Sequence, residues 1–208
     1  MRLVLLGPPG AGKGTQAVRL AEHFDSADVA TGDIFREQVA SGTPLGRIAK
    51  AYLDSGDLVP DQVVIAMVME RISEPDCANG FVLDGFPRTV AQAEALDRRL
   101  DAAGTPLDAA LFFEIEEREL FRRLAGRSAA LHRSDDTEQT IRHRLEVFAQ
   151  KTRPLVNYYE RGGALVRIDA VGDVEEVTRR ILEQLGQMAG PRAAQLPPSR
   201  ATEGQGST

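Results

Sequence analysis

Residues 7–13 read GPPGAGK, a glycine-rich run closing on a lysine. That pattern lets backbone amides wrap the oxygens of a phosphate chain while the lysine bridges its terminal groups. Glycines are required because side chains would bar the close approach. At Gly14 the run departs from the strict motif, which has a magnesium-ligating hydroxyl there, and a threonine follows as Thr15. A second stretch, FVLDGFPRT over 81–89, offers Asp84, a carboxylate able to hold magnesium through water, and Arg88, a planar fork for phosphate. The same letters also fit an ordinary turn before a helix, with Asp84 as its cap. A third, TGDIFR over 31–36, sets the hydroxyl of Thr31 five residues before Arg36. Phosphoryl transfer needs such equipment, because placed cations stabilise the charge on the moving group and little covalent work falls to protein. His23, His132 and His143 have no triad-like neighbours and are expected at the surface or in packing.

These groups need a scaffold. The chain has 208 residues, enough for one substantial domain with inserted lobes. Its net charge of −6 argues against a coat for nucleic acid or anionic membrane, so a nucleotide must be met by a local positive site. The lone Cys77 excludes an internal disulfide and a multi-cysteine zinc site. No apolar run approaches the ~18 residues of a membrane span, and a cytoplasmic protein with no membrane or nucleic-acid partner is expected.

Short apolar runs at 3–6, 81–83, 109–113 and 164–168, with a weaker one at 28–30, alternate with helical periodicity. That alternation predicts a doubly wound α/β fold, a parallel five-stranded sheet covered on both faces. A helix-rich insertion follows residue 30, and a helix is predicted from Asp61 to about Ser73. A long helix is predicted from Asp135, with Ile141, Leu145 and Phe148 at helical spacing and Pro154 kinking or dividing it. A last helix runs from about 174 to 188, and the Gly-, Pro- and Ser-rich residues 190–208 are expected to be a disordered tail.

The form GxPGxGKGTQ over 7–16 resembles the loop of nucleoside monophosphate kinases. With TGDIFR, SGDLVPD, DGFPRT, Gln92 beyond it, and RSDD before the long helix, the order of motifs resembles that of adenylate kinases over residues 1 to about 188. The resemblance implies a core of 1–29, 60–125 and 135–189, a lobe for the monophosphate at 30–59 and a short lid at 126–134 without zinc. It implies that Gly10, Ala11, Gly12, Lys13, Gly14 and Thr15 hold ATP phosphates, with Lys13 following the γ-phosphoryl group. Arg123 and Arg127 would lie near ATP, and Gly172 would touch its adenine. Arg36 and Arg88 would grip the AMP phosphate. Thr31, the backbone of Asp57, Leu58 and Val59, the run Gly85, Phe86, Pro87 and Arg88, and Gln92 would form the rest of the AMP site. Arg133 and Arg144 would approach both the transferred group and the AMP phosphate, while Arg122, Arg142 and Arg153 would be solvated helix charges. Asp84 would hold Mg²⁺ through water, with Thr15 behind it. In the expected lid, Leu131 and His132 stand where a glycine commonly precedes the arginine.

The activity implied is reversible transfer from ATP to AMP, giving two ADP, by a monomer. A UMP- or CMP-type kinase is the alternative within the fold; Thr31 and Gln92 favour adenine, because hydroxyl and amide serve both its donor and acceptor edges. A non-catalytic ATP-binding regulatory module would be marked by loss of Lys13, Arg88, Arg133 or Arg144, and all four are present.

Overall fold

The computed structural model describes the backbone of residues 1–131 and 138–193 and the side chains of 1–124 and 139–188. Five strands, β1 (Arg2–Leu6), β2 (Ala27–Ala30), β3 (Phe81–Asp84), β4 (Ala109–Glu114) and β5 (Leu165–Asp169), form one parallel sheet in the order β2-β3-β1-β4-β5. The central strand shows why a continuous apolar run was needed. Leu3 and Leu5 face one hydrophobic cluster, Val4 and Leu6 the other, and none is more than 2% exposed. Successive side chains point to opposite faces, so a strand covered on both sides must be apolar throughout. Burial of each such leucine contributes about 1.5–3 kcal/mol.

Helix α1 (Lys13–His23) packs Ala17, Leu20 and Ala21 into one cluster, together with Val177, Ile181 and Leu185 of α9 (Val174–Ala193). The opposite face is covered by α4 (Asp61–Arg71), α5 (Val90–Ala102) and α8 (Pro154–Arg161), through Val64, Val68, Ala93, Leu96, Leu155 and Tyr159. Between β2 and α4 the chain inserts α2 (Thr31–Ala40) and α3 (Pro44–Ser55). Thr43 starts α3 by accepting the Gly46 amide at 3.0 Å, with Pro44 in the first turn, a strong N-terminal signal.

Two boundaries differ from expectation. Helix α6 (Glu117–Leu131) continues through the beginning of the segment expected to be a lid from 126. Ala129, Ala130 and Leu131 are strong helix formers, and the helix runs on through Gly126 to reach them. Helix α9 likewise reaches Ala193, past the expected tail boundary at 190, carried by Gln187, Met188 and Ala189; residues 194–208 lie outside the described part. Asp135, the expected helix start, also lies outside it, and α7 is described as Glu138–Val147. The division expected at Pro154 is present: a π-helical turn, Phe148–Thr152, ends α7, and α8 begins with Pro154. Proline offers no N–H to continue the ladder, so a new first turn is where it fits.

Candidate active site

Strand register brings three loops together. Leu5 of β1 and Ala30 of β2 both pair with Asp84 of β3, so the carboxyl ends of these strands stand level. Ligands of doubly wound sheets bind outside those ends. A cavity of about 560 Å³ opens there. The 7–13 loop enters from β1 and turns into α1, whose N-terminus directs amides and dipole toward an anion. Gly10, with φ of 88°, has no room for a side chain, since a Cβ would come within 2.8 Å of Leu124 Cγ. Lys13 Nζ lies over the loop, donating to the carbonyls of Gly7 and Pro8 at 2.9 Å each. Asp84 stands beside the loop: a Cβ placed on Gly14 would be 3.3 Å from its Oδ2.

Further cations line the same cavity. Arg88 lines the cavity, and its Nε donates to the Gly85 carbonyl at 2.8 Å. Arg88 is exposed to water in the cleft. Partial desolvation there, with the like charges of Arg144 and Arg36, pushes its pKa down from the usual arginine range, and Asp84 opposes the shift. A cation so placed is better off with an anion beside it. Gly85 is needed at its position because φ is 85° and a Cβ would lie 2.5 Å from Thr31 Oγ1 and 3.1 Å from Arg88 Nη2. Arg36, ion-paired to Asp33, and Arg144 also line the cavity. Arg123 reaches it from α6, tied by its Nε to Glu119 at 2.8 Å and by its Nη2 to the Ala170 carbonyl at 3.0 Å. Lys13, Arg36, Arg88, Arg123 and Arg144 thus meet in one place on an acidic chain.

Gly10, Gly12, Gly14, Thr15, Asp57, Leu58, Gly85 and Pro87 border the cavity as expected. Ala11 and Phe86 instead pack inward, at 2% and 0% exposure. The groups expected to read a base are also enclosed: Thr31, Val59 and Gln92 are 3%, 6% and 1% exposed. Thr31 Oγ1 donates to the Asp84 carbonyl at 3.2 Å. Gln92 Oε1 accepts the Arg88 amide and its Nε2 donates to Asp61, both at 2.7 Å. Gly172 sits in the β5–α9 turn beside Glu176 and Arg180, away from the cavity lining. The side chains of Arg127 and Arg133 lie outside the described residues. Arg122 is a solvated helix charge paired to Glu119 at 2.6 Å, as expected, and Arg142 stacks over Phe121 at 5.7 Å.

Several groups here were not singled out from sequence. Thr152 in the π-helical turn donates to the Arg88 carbonyl at 3.0 Å, and Phe148 of the same turn lines the cavity. Thr152 had no signal beyond proximity to Pro154, and Phe148 was read only as a residue of the apolar helix face. Asp28 lines the cavity from β2; burial, then Asp84 and Asp33, push its pKa up, against Arg71. Asp61, which braces Thr89 and Gln92, was read only as a helix start. His143 pairs with Asp57 at 2.6 Å.

A phosphate loop at the end of the central strand, sharing one cavity with a set of arginines, defines a nucleotide-dependent phosphotransferase of the P-loop class. The comparisons narrow this. The family model described as adenylate kinase matches residues 5–164. Over 91% of this chain and all of its own length, an adenylate kinase of Thermobifida fusca is 54% identical. One from Acidothermus cellulolyticus is 49% identical over 89% of this chain and 98% of its own, and one from Xanthomonas campestris pv. campestris is 48% identical over 90% and 100%. The chain belongs to the adenylate kinase family.

Proposed function

We propose that this cavity binds ATP on the 7–15 loop and AMP against Arg88, Arg36 and the 57–59 backbone, and transfers the γ-phosphoryl group between them to give two ADP. The observation that carries this reading is that Lys13 and Arg88 line a single cavity, with Asp84 beside the phosphate loop. In-line transfer requires the two phosphate chains to approach end to end, and several cations lining one cavity can hold both. Lys13 has its amine over the loop mouth, and its charge would follow the moving group. Arg88, Arg36 and Arg144 would hold the acceptor phosphate and stabilise equatorial charge; a charge-assisted hydrogen bond contributes about 1.5–3 kcal/mol. Arg127 and Arg133 join this set by resemblance.

Asp84 fits a magnesium ion that arrives with the nucleotide. Mg²⁺ keeps several waters and needs only one or two carboxylates beside substrate phosphates, and among the described residues no cluster of three or more ligating side chains forms a resident site. Bound there, Mg²⁺ would neutralise charge on the β- and γ-phosphates. Residues 30–59 would form the acceptor lobe and 126–134 would cover the donor, excluding water that would otherwise hydrolyse ATP. The chain is proposed to act as a monomer in the cytoplasm; its buried, unpaired Cys77 fits a reducing compartment, and no described helix is long and apolar enough to cross a membrane.

The test offers purified protein ATP and Mg²⁺ with AMP, CMP, UMP, GMP or no acceptor, and quantifies ADP and free phosphate. Strong ADP formation with AMP alone, without phosphate release, is expected. Preference for CMP or UMP would overturn the base assignment, and binding of ATP with no transfer to any acceptor would overturn the enzyme reading.

A further inference from the structure

His143 lies outside the phosphate machinery, on α7, and faces the acceptor lobe. Its Nε2 stands 2.6 Å from Asp57 Oδ1 in the loop after α3, so the ring nitrogen carries the proton and the carboxylate accepts it. The contact joins elements far apart in sequence. Next to it, α7 presses on the same corner: a Cβ on Gly56 would be 3.0 Å from both Arg144 Cγ and Thr140 Cγ2, and Arg144 Nη2 is 3.5 Å from the Leu53 carbonyl. The 56–58 loop, two of whose residues border the cavity with Gly56, is therefore seated on α7 by packing and by one polar pair.

We infer that His143 is a positioning residue whose pair with Asp57 seats the 56–58 loop on α7 and so tightens binding of the acceptor monophosphate in a pH-dependent way. The inference rests on the functional reading above and adds to it the group that sets the acceptor loop. Histidine is the side chain whose charge changes between about pH 5 and 8. When protonated, it forms an ion pair with Asp57 in addition to the hydrogen bond; when neutral, only the hydrogen bond remains. His143 faces Asp57 and, through it, Ser55, which donates to Asp57 Oδ2 at 2.8 Å. On its own helix Glu146 lies 4.0 Å from Nδ1, and the adjacent Arg144 and Arg142 are cations, the latter directed to Phe121. Asp57 is itself held below the usual carboxylate range, first by His143 and then by Ser55, so it stays ionised between about pH 5 and 8.

Both partners are partly exposed, at 40% and 49%, so the effect is modest. Exposed pairs of this kind correspond to about a two- to fivefold change in an equilibrium constant. It should fall on KM for AMP rather than on kcat, because neither side chain touches the transferred group.

The experiment measures KM and kcat for AMP at pH 6 and pH 8 in the wild-type chain, His143→Gln and His143→Lys. Phosphate monoesters lose a proton near pH 6, so the AMP contribution is common to all three proteins and is removed by taking ratios. Expected is a KM for His143→Gln raised about two- to fivefold at pH 6 and close to wild type at pH 8, with kcat unchanged. His143→Lys, cationic at both pH values, should keep low KM throughout and lose the pH dependence beyond that of AMP. Equal KM for wild type and His143→Gln at pH 6, or a change confined to kcat, would overturn the assignment while leaving the kinase reading intact. A wild-type protein that makes no ADP from AMP would overturn the kinase reading, and this inference with it.

Discussion

The two halves of the proposed acceptor site are built differently. The floor proposed to meet the phosphate, with Arg88, Arg36 and Arg144, opens into the cavity, whereas the wall proposed to read the base, with Thr31, Val59 and Gln92, is covered by protein. Charge explains the contrast. Several guanidinium groups in one cleft cannot satisfy one another, and an anion in the cavity would relieve their mutual repulsion. A buried hydroxyl or amide, by contrast, must find a partner at hand or incur a desolvation cost of about 1–3 kcal/mol. Thr31 finds the Asp84 carbonyl, and Gln92 finds Asp61 and the Arg88 amide. These partners do more than fill valences. An amide has two N–H groups and two lone pairs, so Gln92 retains one of each, with its oxygen and nitrogen assigned by its neighbours. The amide proposed to read the base is thus held by two partners under cover, while the arginines proposed to hold the phosphate line the open cavity.

If that contrast is right, perturbing the floor should cost much more than perturbing the wall, and the two should differ in kind. The largest loss is expected for Arg88→Ala, about 10³-fold in turnover, by the scale of losing a transition-state arginine. Steady-state rates with saturating AMP and ATP measure it; a rise in KM alone would mean that Arg88 only binds. Lys13→Met should keep the fold, seen by circular dichroism, and reduce turnover by at least roughly a hundredfold. Near-normal rates in that variant would remove Lys13 from the reaction.

Gln92→Ala belongs to the wall. It should raise KM for AMP about tenfold and lower the AMP-over-CMP preference by a similar factor, with kcat changed much less. Equal losses with both acceptors would assign the amide to bracing Arg88 rather than to base reading. The smallest effect is away from both regions. Arg122, then Arg123, hold Glu119 down to about 2. A carboxylate depressed in the folded state stabilises above its ordinary range and loses that contribution as pH falls through the folded value. Glu119→Gln should therefore lower the thermal midpoint slightly at pH 7, with the difference from wild type closing between about pH 4.5 and 2.

How much could be read from letters follows the same division. Glycines, lysine and arginines at set spacings announce a phosphate site because few other uses demand them together, and strand-sized apolar runs announce the sheet. All five strands lie where the apolar runs put them, and the insertion after residue 30 is helical as expected. What stayed hidden were contacts made only by the tertiary fold. Asp61 reads as a helix-starting acid, and only the packing of α4 against α5 shows it bracing Thr89 and Gln92. Thr152 is unremarkable in sequence until the π-helical turn before Pro154 carries its hydroxyl to the Arg88 carbonyl. The helical start of the segment expected as a lid was not legible for a different reason: that expectation came from family resemblance, while the local run SAAL favours helix.

The division between open floor and covered wall is best tested by a crystal structure of the chain with AMP bound. The account predicts that residues 7–15 and 84–88 keep their backbone positions to within about 1 Å, as pre-organised sites do. It also predicts that α2 and α3 shift to admit the base, and that Gln92 contacts it while still bonded to Asp61 and the Arg88 amide. A structure in which the 84–88 backbone rearranges to meet the phosphate, while the base lies clear of Thr31 and Gln92, would contradict it.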